Sequence, residues 1–167
     1  MSDRAVILQF PVNGFILRSM YDDDQEYFMK CMRSTVLNSV TETERDLGHL
    51  WTDLILNGVR NKLSESDNET FVLENENGNK AGILWLGGHK DQYTSDDTGY
   101  VLGVFVEKEL RGKGLGKALM TVAEEWCRQR GFLSLTLNVG SCNTSARSFY
   151  DSLDFSERST VMRKELL

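Results

Sequence analysis

The sequence predicts one α/β domain over residues 1–167, with a mixed β-sheet flanked by about four helices. Three observations carry this expectation. Apolar segments of strand length alternate with stripes of helical period along the chain, the order that builds α/β sheets. At 167 residues the chain has the length of one ordinary domain, roughly 150 residues, and no repeat or linker divides it. Glycines 112, 114 and 116 join a strand pattern to a helix pattern, a junction common in such folds.

Ala5 to Phe10 and Phe15 to Arg18 predict two short strands around Pro11-Val12-Asn13-Gly14, because Pro and Asn-Gly mark turns. Asp22, Asp23 and Asp24 supply negative charge and capping oxygens for a helix start, and Phe28, Met32 and Val36 follow at helical spacing. A second helix is expected from Thr41, with Glu44 placed as in a capping box. Its predicted buried stripe is Leu47, Trp51, Leu54, Ile55, Val59 and Leu63, weakened at Gly58. Thr70 to Leu73 and Lys80 to Leu86 flank the turn-rich Glu74 to Asn79 and form a hairpin.

His89 to Gly99 is polar and predicts the longest loop. Tyr100 to Val106 is a strand in which Gly103 marks a bulge or a close approach. Leu115, Ala118, Leu119, Val122 and Trp126 define a third helix, stopped at Gly131 behind Arg128 and Arg130. Leu133 to Val139 alternates as a strand with one apolar face. Ala146, Phe149, Tyr150 and Leu153 mark a fourth helix, and Phe155 to Leu166 predicts a final strand or pair.

Composition excludes several classes. With 40% hydrophobic and 26% charged residues, 14 glycines and one proline, the chain is no collagen, disordered segment or disulfide scaffold. Cys31, Cys127 and Cys142 are an odd number without paired spacing, which suits a reducing cytoplasm and offers no metal site. No apolar stretch reaches the roughly 18–20 residues of a membrane span, so no membrane partner is expected. The net charge of -6 argues against nucleic acid, whose phosphates need a basic surface. That charge is uneven: residues 1–99 hold 9 basic and 17 acidic residues, residues 100–167 hold 10 and 8.

The richest segment is Arg111-Gly112-Lys113-Gly114-Leu115-Gly116-Lys117. Free N–H groups at a helix start, the helix dipole and three cations make it an anion cradle. It is no P-loop, because Ala118 stands where the magnesium-binding hydroxyl belongs and Arg111 where the first glycine belongs. Nor is it a dinucleotide fingerprint, since neither Gly112-x-Gly114 nor Gly114-x-Gly116 has its third glycine.

What remains, Arg111-x-x-Gly114-x-Gly116, resembles the pyrophosphate loop of the Gcn5-related N-acetyltransferase (GNAT) superfamily. Downstream, Asn143-x-x-Ala146-x-x-Phe149-Tyr150-x-x-Leu153-x-Phe155 is similar to a second segment of that family. The likeness is specific over about residues 100–155. It departs at Asp154, where the family usually has glycine, and Asp tolerates the left-handed backbone better than most residues.

The resemblance implies a GNAT-like fold with a centrally splayed sheet, in which Gly103 to Val106 part from Leu133 to Val139. It implies acetyl-CoA as cosubstrate with no metal. The backbone N–H groups of Val104 and Val106 would meet the pantetheine arm, and that of Val104 or Phe105 would polarise the thioester carbonyl. Arg111, Gly112, Lys113, Gly114, Leu115, Gly116 and Lys117 would hold the pyrophosphate. Asn143 would bind near the pantetheine, and Tyr150 would be the general acid, protonated at neutral pH with an ordinary pKa near 10.

Simpler roles stand beside these. Tyr150 suits a core aromatic, Asn143 an N-cap, Cys142 a small filler, and His49 and His89 are lone histidines. Asp96, Asp97, Glu107 and Asp22 to Asp24 are all candidate bases. The implied activity is transfer of acetyl to a small-molecule or peptide amine, with the acidic first half pointing to a cationic acceptor such as a polyamine or an aminoglycoside. The rival readings are acetylation of amino acids or protein N-termini, and a non-catalytic acyl-CoA sensor. A homodimer through exposed sheet edges is a further expectation.

Overall fold

The computed structural model describes residues 6–8, 10–46, 49–65, 67–164 and 166, with side chains undescribed at 6–8, 43, 46 and 49–52. Ala5, Leu47 and the side chains of Trp51 and His49 therefore lie outside the described residues. The strands are β1 (Val6–Leu8), β2 (Phe15–Ser19), β3 (Asn68–Asn75), β4 (Lys80–Lys90), β5 (Asp97–Val106) and β6 (Leu135–Leu137). The α-helices are α1 (Gln25–Ser39), α2 (Glu42–Asp46), α3 (His49–Leu63), α4 (Leu115–Gln129) and α5 (Thr144–Asp151). Strands run in chain order across one sheet, antiparallel from β1 to β5 and parallel between β5 and β6.

Each sheet face has its own core. On one, α4 buries Leu115, Ala118, Leu119, Val122 and Trp126 with Leu73, Leu84 and Val101, so the predicted stripe is the buried one. On the other, Phe28, Cys31 and Met32 of α1 and Leu56 of α3 meet Ile83 and Trp85, with Phe28 edge-on to Trp85 at 5.3 Å. Burial pushes the Cys31 thiol up to about 12 and the Cys127 thiol up to about 11, so both are protonated core groups.

Local signals fall where expected. The Thr41 N–H donates to Glu44 Oε2 at 2.8 Å and the Glu44 N–H to Thr41 Oγ1 at 3.3 Å, the reciprocal capping box. Asp154 sits at φ +62, the left-handed conformation expected of a residue standing in for glycine.

Four expectations are corrected. The helical stripe after Thr41 faces differently: Leu54 and Ile55 are 68% and 41% exposed, while Leu56 is buried and Val59 and Leu63 pack beside it, because contact with α1 selects the rotation of α3. The polar stretch from His89 is a hairpin, since β4 and β5 stay paired through His89↔Thr98 and Lys90↔Asp97. Its turn is organised by Asp91, whose Oδ1 accepts the N–H groups of Tyr93 and Thr94 while Arg158 clamps the carboxylate. β6 is shorter than Leu133 to Val139 and leaves Leu133 89% exposed. Among the described residues after Phe155 there is no strand, and Val161 and Met162 are exposed; two adjacent apolar residues do not make a face to bury.

Candidate active site

The parallel ladder between β5 and β6 runs Gly99↔Leu135, Tyr100↔Thr136 and Val101↔Leu137, and ends there. Beyond it β5 continues five residues, paired only with β4. The parting is set by a bulge: opposite Trp85 and Leu86, β5 carries Gly103 and Val101 with Leu102 extra between them. Gly103 gives room there to Met32, whose Sδ would stand 2.9 Å from an added Cβ and would have to shift.

Backbone alternation tells which groups face the gap. The Glu107 N–H donates to Ala81 O of the β4 side at 2.9 Å, so Phe105 also faces β4, and Val104 and Val106 face away from it. Two contacts agree. The Phe105 carbonyl is so close to Gly82 that a Cβ there would stand 2.3 Å from it. The Val106 carbonyl is taken by Arg111, whose Nε donates to it at 3.0 Å. Of the two residues expected to polarise a carbonyl, the geometry leaves Val104; the Phe105 N–H is turned into the sheet. Phe105 contributes its ring, with the Arg111 guanidinium 5.6 Å from its centroid.

Gly82 was not singled out from the sequence, since nothing in its surroundings betrays the Phe105 carbonyl opposite. Gly82→Ala is expected to cost about 1–3 kcal/mol of stability, as overpacking does, and to displace Val104 to Val106. Urea denaturation checks it, and an unchanged midpoint would refute the close approach.

The glycine loop connects this strand end to α4. Gly112 and Gly114 hold φ +77 and +81, and Gly114 is the N-cap of α4. The first helical bond is Ala118 N–H to Gly114 O at 3.0 Å, so the N–H groups of Leu115, Gly116 and Lys117 precede it as helix-start donors. Arg111, Lys113 and Lys117 are exposed around them while Leu115 is buried. Glycine 116 has a packing reason: a Cβ would lie 3.3 Å from Phe149 Cζ, so α5 leans on the first turn of α4.

That contact brings in the second motif. Asn143 is the N-cap of α5, its Oδ1 accepting the Ala146 N–H at 3.2 Å. Tyr150 packs between Phe149 and Phe155, at ring distances of 5.3 and 5.7 Å, beside the core that also receives Val104 and Val106. Burial raises its pKa above the ordinary 10. A glycine missed by sequence reading, Gly140, seats the loop before α5: its Cβ would lie 2.3 Å from the carbonyl of Ser39, the last residue of α1.

The candidate bases disperse. Asp97 starts β5, about 23 Å of strand from Val104, and Asp96 precedes it. Asp24 is buried against Arg18 and Lys80. Glu107, next to Val106, pairs with Lys30 at 3.1 Å. Cys142 is exposed, so the reading of it as a small buried filler is corrected, and the His89 ring meets Tyr100 edge-on at 5.1 Å. Among the described residues, no group of three or more His, Cys, Asp or Glu is placed to hold a metal ion, and no helix is long and apolar enough to cross a membrane.

The arrangement can hold an elongated ligand. Backbone groups of Val104 and Val106 can pair with an extended chain lying in the gap, and the α4 start with its cations can take a phosphate group at that chain's end.

Comparison with known proteins bears on this geometry. The acetyltransferase (GNAT) family model matches residues 17–155. The uncharacterized N-acetyltransferase YdgE of Bacillus subtilis is 24% identical over 157 residues, 92% of this chain and 99% of that protein. A GCN5-related N-acetyltransferase from Ralstonia eutropha superposes with a TM-score of 0.69 at 22% identity, covering 92% of this chain and 99% of the other. An aminoglycoside antibiotic 6'-N-acetyltransferase from Acinetobacter baumannii does so with 0.68 at 14% identity and the same coverage. These two structures show a likeness of fold.

Proposed function

The chain belongs to the acetyltransferase (GNAT) family, and from that premise we propose that it moves an acetyl group from acetyl-CoA to a primary amine by direct transfer in a ternary complex. The observation that carries this is the parted pair β5 and β6, with the Val104 and Val106 backbone turned to the gap and the glycine-capped start of α4 at its end. Residues 1–167 act as one domain, and the free thiols fit a reducing cytoplasm.

The residues present fit the cosubstrate. A pantetheine arm carries two amides that need partners out of water, and the outward Val104 carbonyl and Val106 N–H offer them, the Val106 carbonyl being held by Arg111. The N–H groups of Leu115, Gly116 and Lys117, with Gly112 and Gly114 holding the backbone open, bind the pyrophosphate, and Arg111, Lys113 and Lys117 add charge. Acetyl-CoA supplies a thioester whose sulfur leaves as thiolate when the amine nitrogen bonds to the acetyl carbon. The Val104 N–H stabilises negative charge growing on the acetyl oxygen. Tyr150 gives its proton to the departing sulfur, and Asn143 holds the turn that aims α5. The proton lost by the amine leaves through water or Glu107, the candidate base just past the gap end of β5.

Titration calorimetry with acetyl-CoA, and thiol release with an amine panel, test the reading; no acetyl-CoA binding would end it. Tyr150→Phe is expected to lower kcat about 100-fold, the smaller end of general-acid contributions, with acetyl-CoA affinity unchanged. Because the acid form is the active one and burial raises its pKa, the alkaline fall in kcat due to Tyr150 should lie above pH 10. A normal kcat in Tyr150→Phe would assign the ring to packing alone.

A further inference from the structure

Beside the gap, on the sheet face covered by α1 and α3, lies a cavity of about 210 Å³ lined by Lys62, Gly87, Gly88, His89, Tyr100 and Leu102. Its β5 residues straddle the point where β5 and β6 part: Tyr100 is in the last paired stretch and Leu102 is the bulged residue. From Leu102 to Val104 is two residues, about 7 Å of strand. A compact molecule in this cavity therefore holds an amine within reach of an acetyl group at the Val104 N–H.

The lining is apolar and aromatic. Leu102 forms one wall, close enough that a Cβ on Gly87 would meet its Cδ1 at 3.0 Å. The Tyr100 and His89 rings stand edge to face at 79° and form another, and Asn138, just past β6, faces the Tyr100 hydroxyl. The volume is below the roughly 300–1,000 Å³ of sites that take drug-sized ligands.

The charges around the mouth are already satisfied. Lys62, the one Lys, Arg, Asp or Glu among the described lining residues, pairs with Glu65 at 2.5 Å and with Asp67 at 3.4 Å. In the adjoining cavity, which shares Gly88 and His89, Glu69 pairs with Arg130 and Asp97 with Lys90 at 2.9 Å. A polyamine or aminoglycoside would have to displace a Lys or Arg from each carboxylate, exchanging one ion pair for another with little gain.

Resting on the acetyltransferase reading, we propose that the acceptor is a monoamine carried on a compact apolar or aromatic body, selected by Leu102, Tyr100 and His89. The ring pair receives the flat body edge-on, Leu102 limits its depth, and the amine points along β5 to the gap.

The test is a thiol-release assay at saturating acetyl-CoA with benzylamine, 2-phenylethylamine and hexylamine against spermidine and kanamycin. The expected result is a kcat/KM at least about tenfold higher for the apolar-bodied monoamines, the discrimination one or two methylene-sized contacts provide. His89→Ala, at an exposed ring, and Leu102→Ala should each raise KM for 2-phenylethylamine about three- to tenfold, the range of one aromatic or apolar contact, with acetyl-CoA affinity by calorimetry unchanged. Preference for spermidine or kanamycin, or an unchanged KM in both variants, overturns the proposal, as does acetyl-CoA binding with no monoamine turned over. Failure of acetyl-CoA to bind overturns the acetyltransferase site itself, so calorimetry tells the two failures apart.

Discussion

Gly114→Val is expected to lower acetyl-CoA affinity at least about 100-fold while leaving a folded protein. Gly114 caps α4 with φ +81, a conformation a β-branched residue adopts only under strain. A Cβ built there meets no heavy atom within 4 Å, so the first side-chain atom clashes with nothing and the stability cost is set by the backbone strain, about 1–3 kcal/mol. The open space above Gly114 is where a phosphate must approach the N–H groups of Leu115 to Lys117. Losing two charge-assisted hydrogen bonds at about 1.5 kcal/mol each amounts to about 3 kcal/mol, or about 100-fold at 1.4 kcal/mol per decade. Calorimetry with acetyl-CoA measures it, and circular dichroism shows whether the fold survives. Wild-type affinity in a folded variant would remove the loop from the site.

Asp24→Asn is expected to cost about 3–5 kcal/mol of stability, the effect of breaking a buried ion pair from one side. Arg18 of β2 is 1% exposed and meets Asp24 at 2.6 Å and Glu74 of β3, while Lys80 reaches Asp24 at 2.6 Å. The cluster ties the first strands to the start of α1. Burial by itself would raise the Asp24 pKa, but hydrogen bonds from Arg18, Lys80 and the Tyr21 N–H outweigh it and hold the carboxyl well below the usual range. A depressed carboxyl pKa stabilises the fold fully above the unfolded value near 3.9 and less as pH falls below it. The wild type should therefore lose more stability than Asp24→Asn between pH 5 and pH 2. Urea melts across that range check both points; a loss under about 1 kcal/mol at pH 7, or equal acid slopes, would show that the cluster holds little.

Several elements were readable because their causes are local. The α4 stripe, the Thr41–Glu44 box, the Asn143 cap and the left-handed Asp154 each depend on residues within a turn or two. The rotation of α3 was not readable, because Leu54, Ile55 and Leu56 are equally apolar in sequence and only packing on Phe28 and Met32 chooses Leu56. The hairpin through His89 was hidden because exposed strand ends are polar like loops, and Asp91 is recruited by Arg158, 67 residues away. In the site, glycine spacing marked the cradle, yet the need for Gly82 and Gly140 comes from carbonyls of Phe105 and Ser39, which no sequence window contains.

By itself the sequence determined an α/β chain with a glycine-rich anion cradle between a strand and a helix, and a second motif centred on Asn143 and Tyr150. These follow from backbone conformation, capping and periodicity, which act over a few residues. Tertiary structure decided where β5 leaves β6, which of Val104, Phe105 and Val106 face the gap, and what lines the cavity beside it. Those depend on register between strands distant in the chain, where one extra residue at Leu102 turns the backbone groups that follow toward the opposite side.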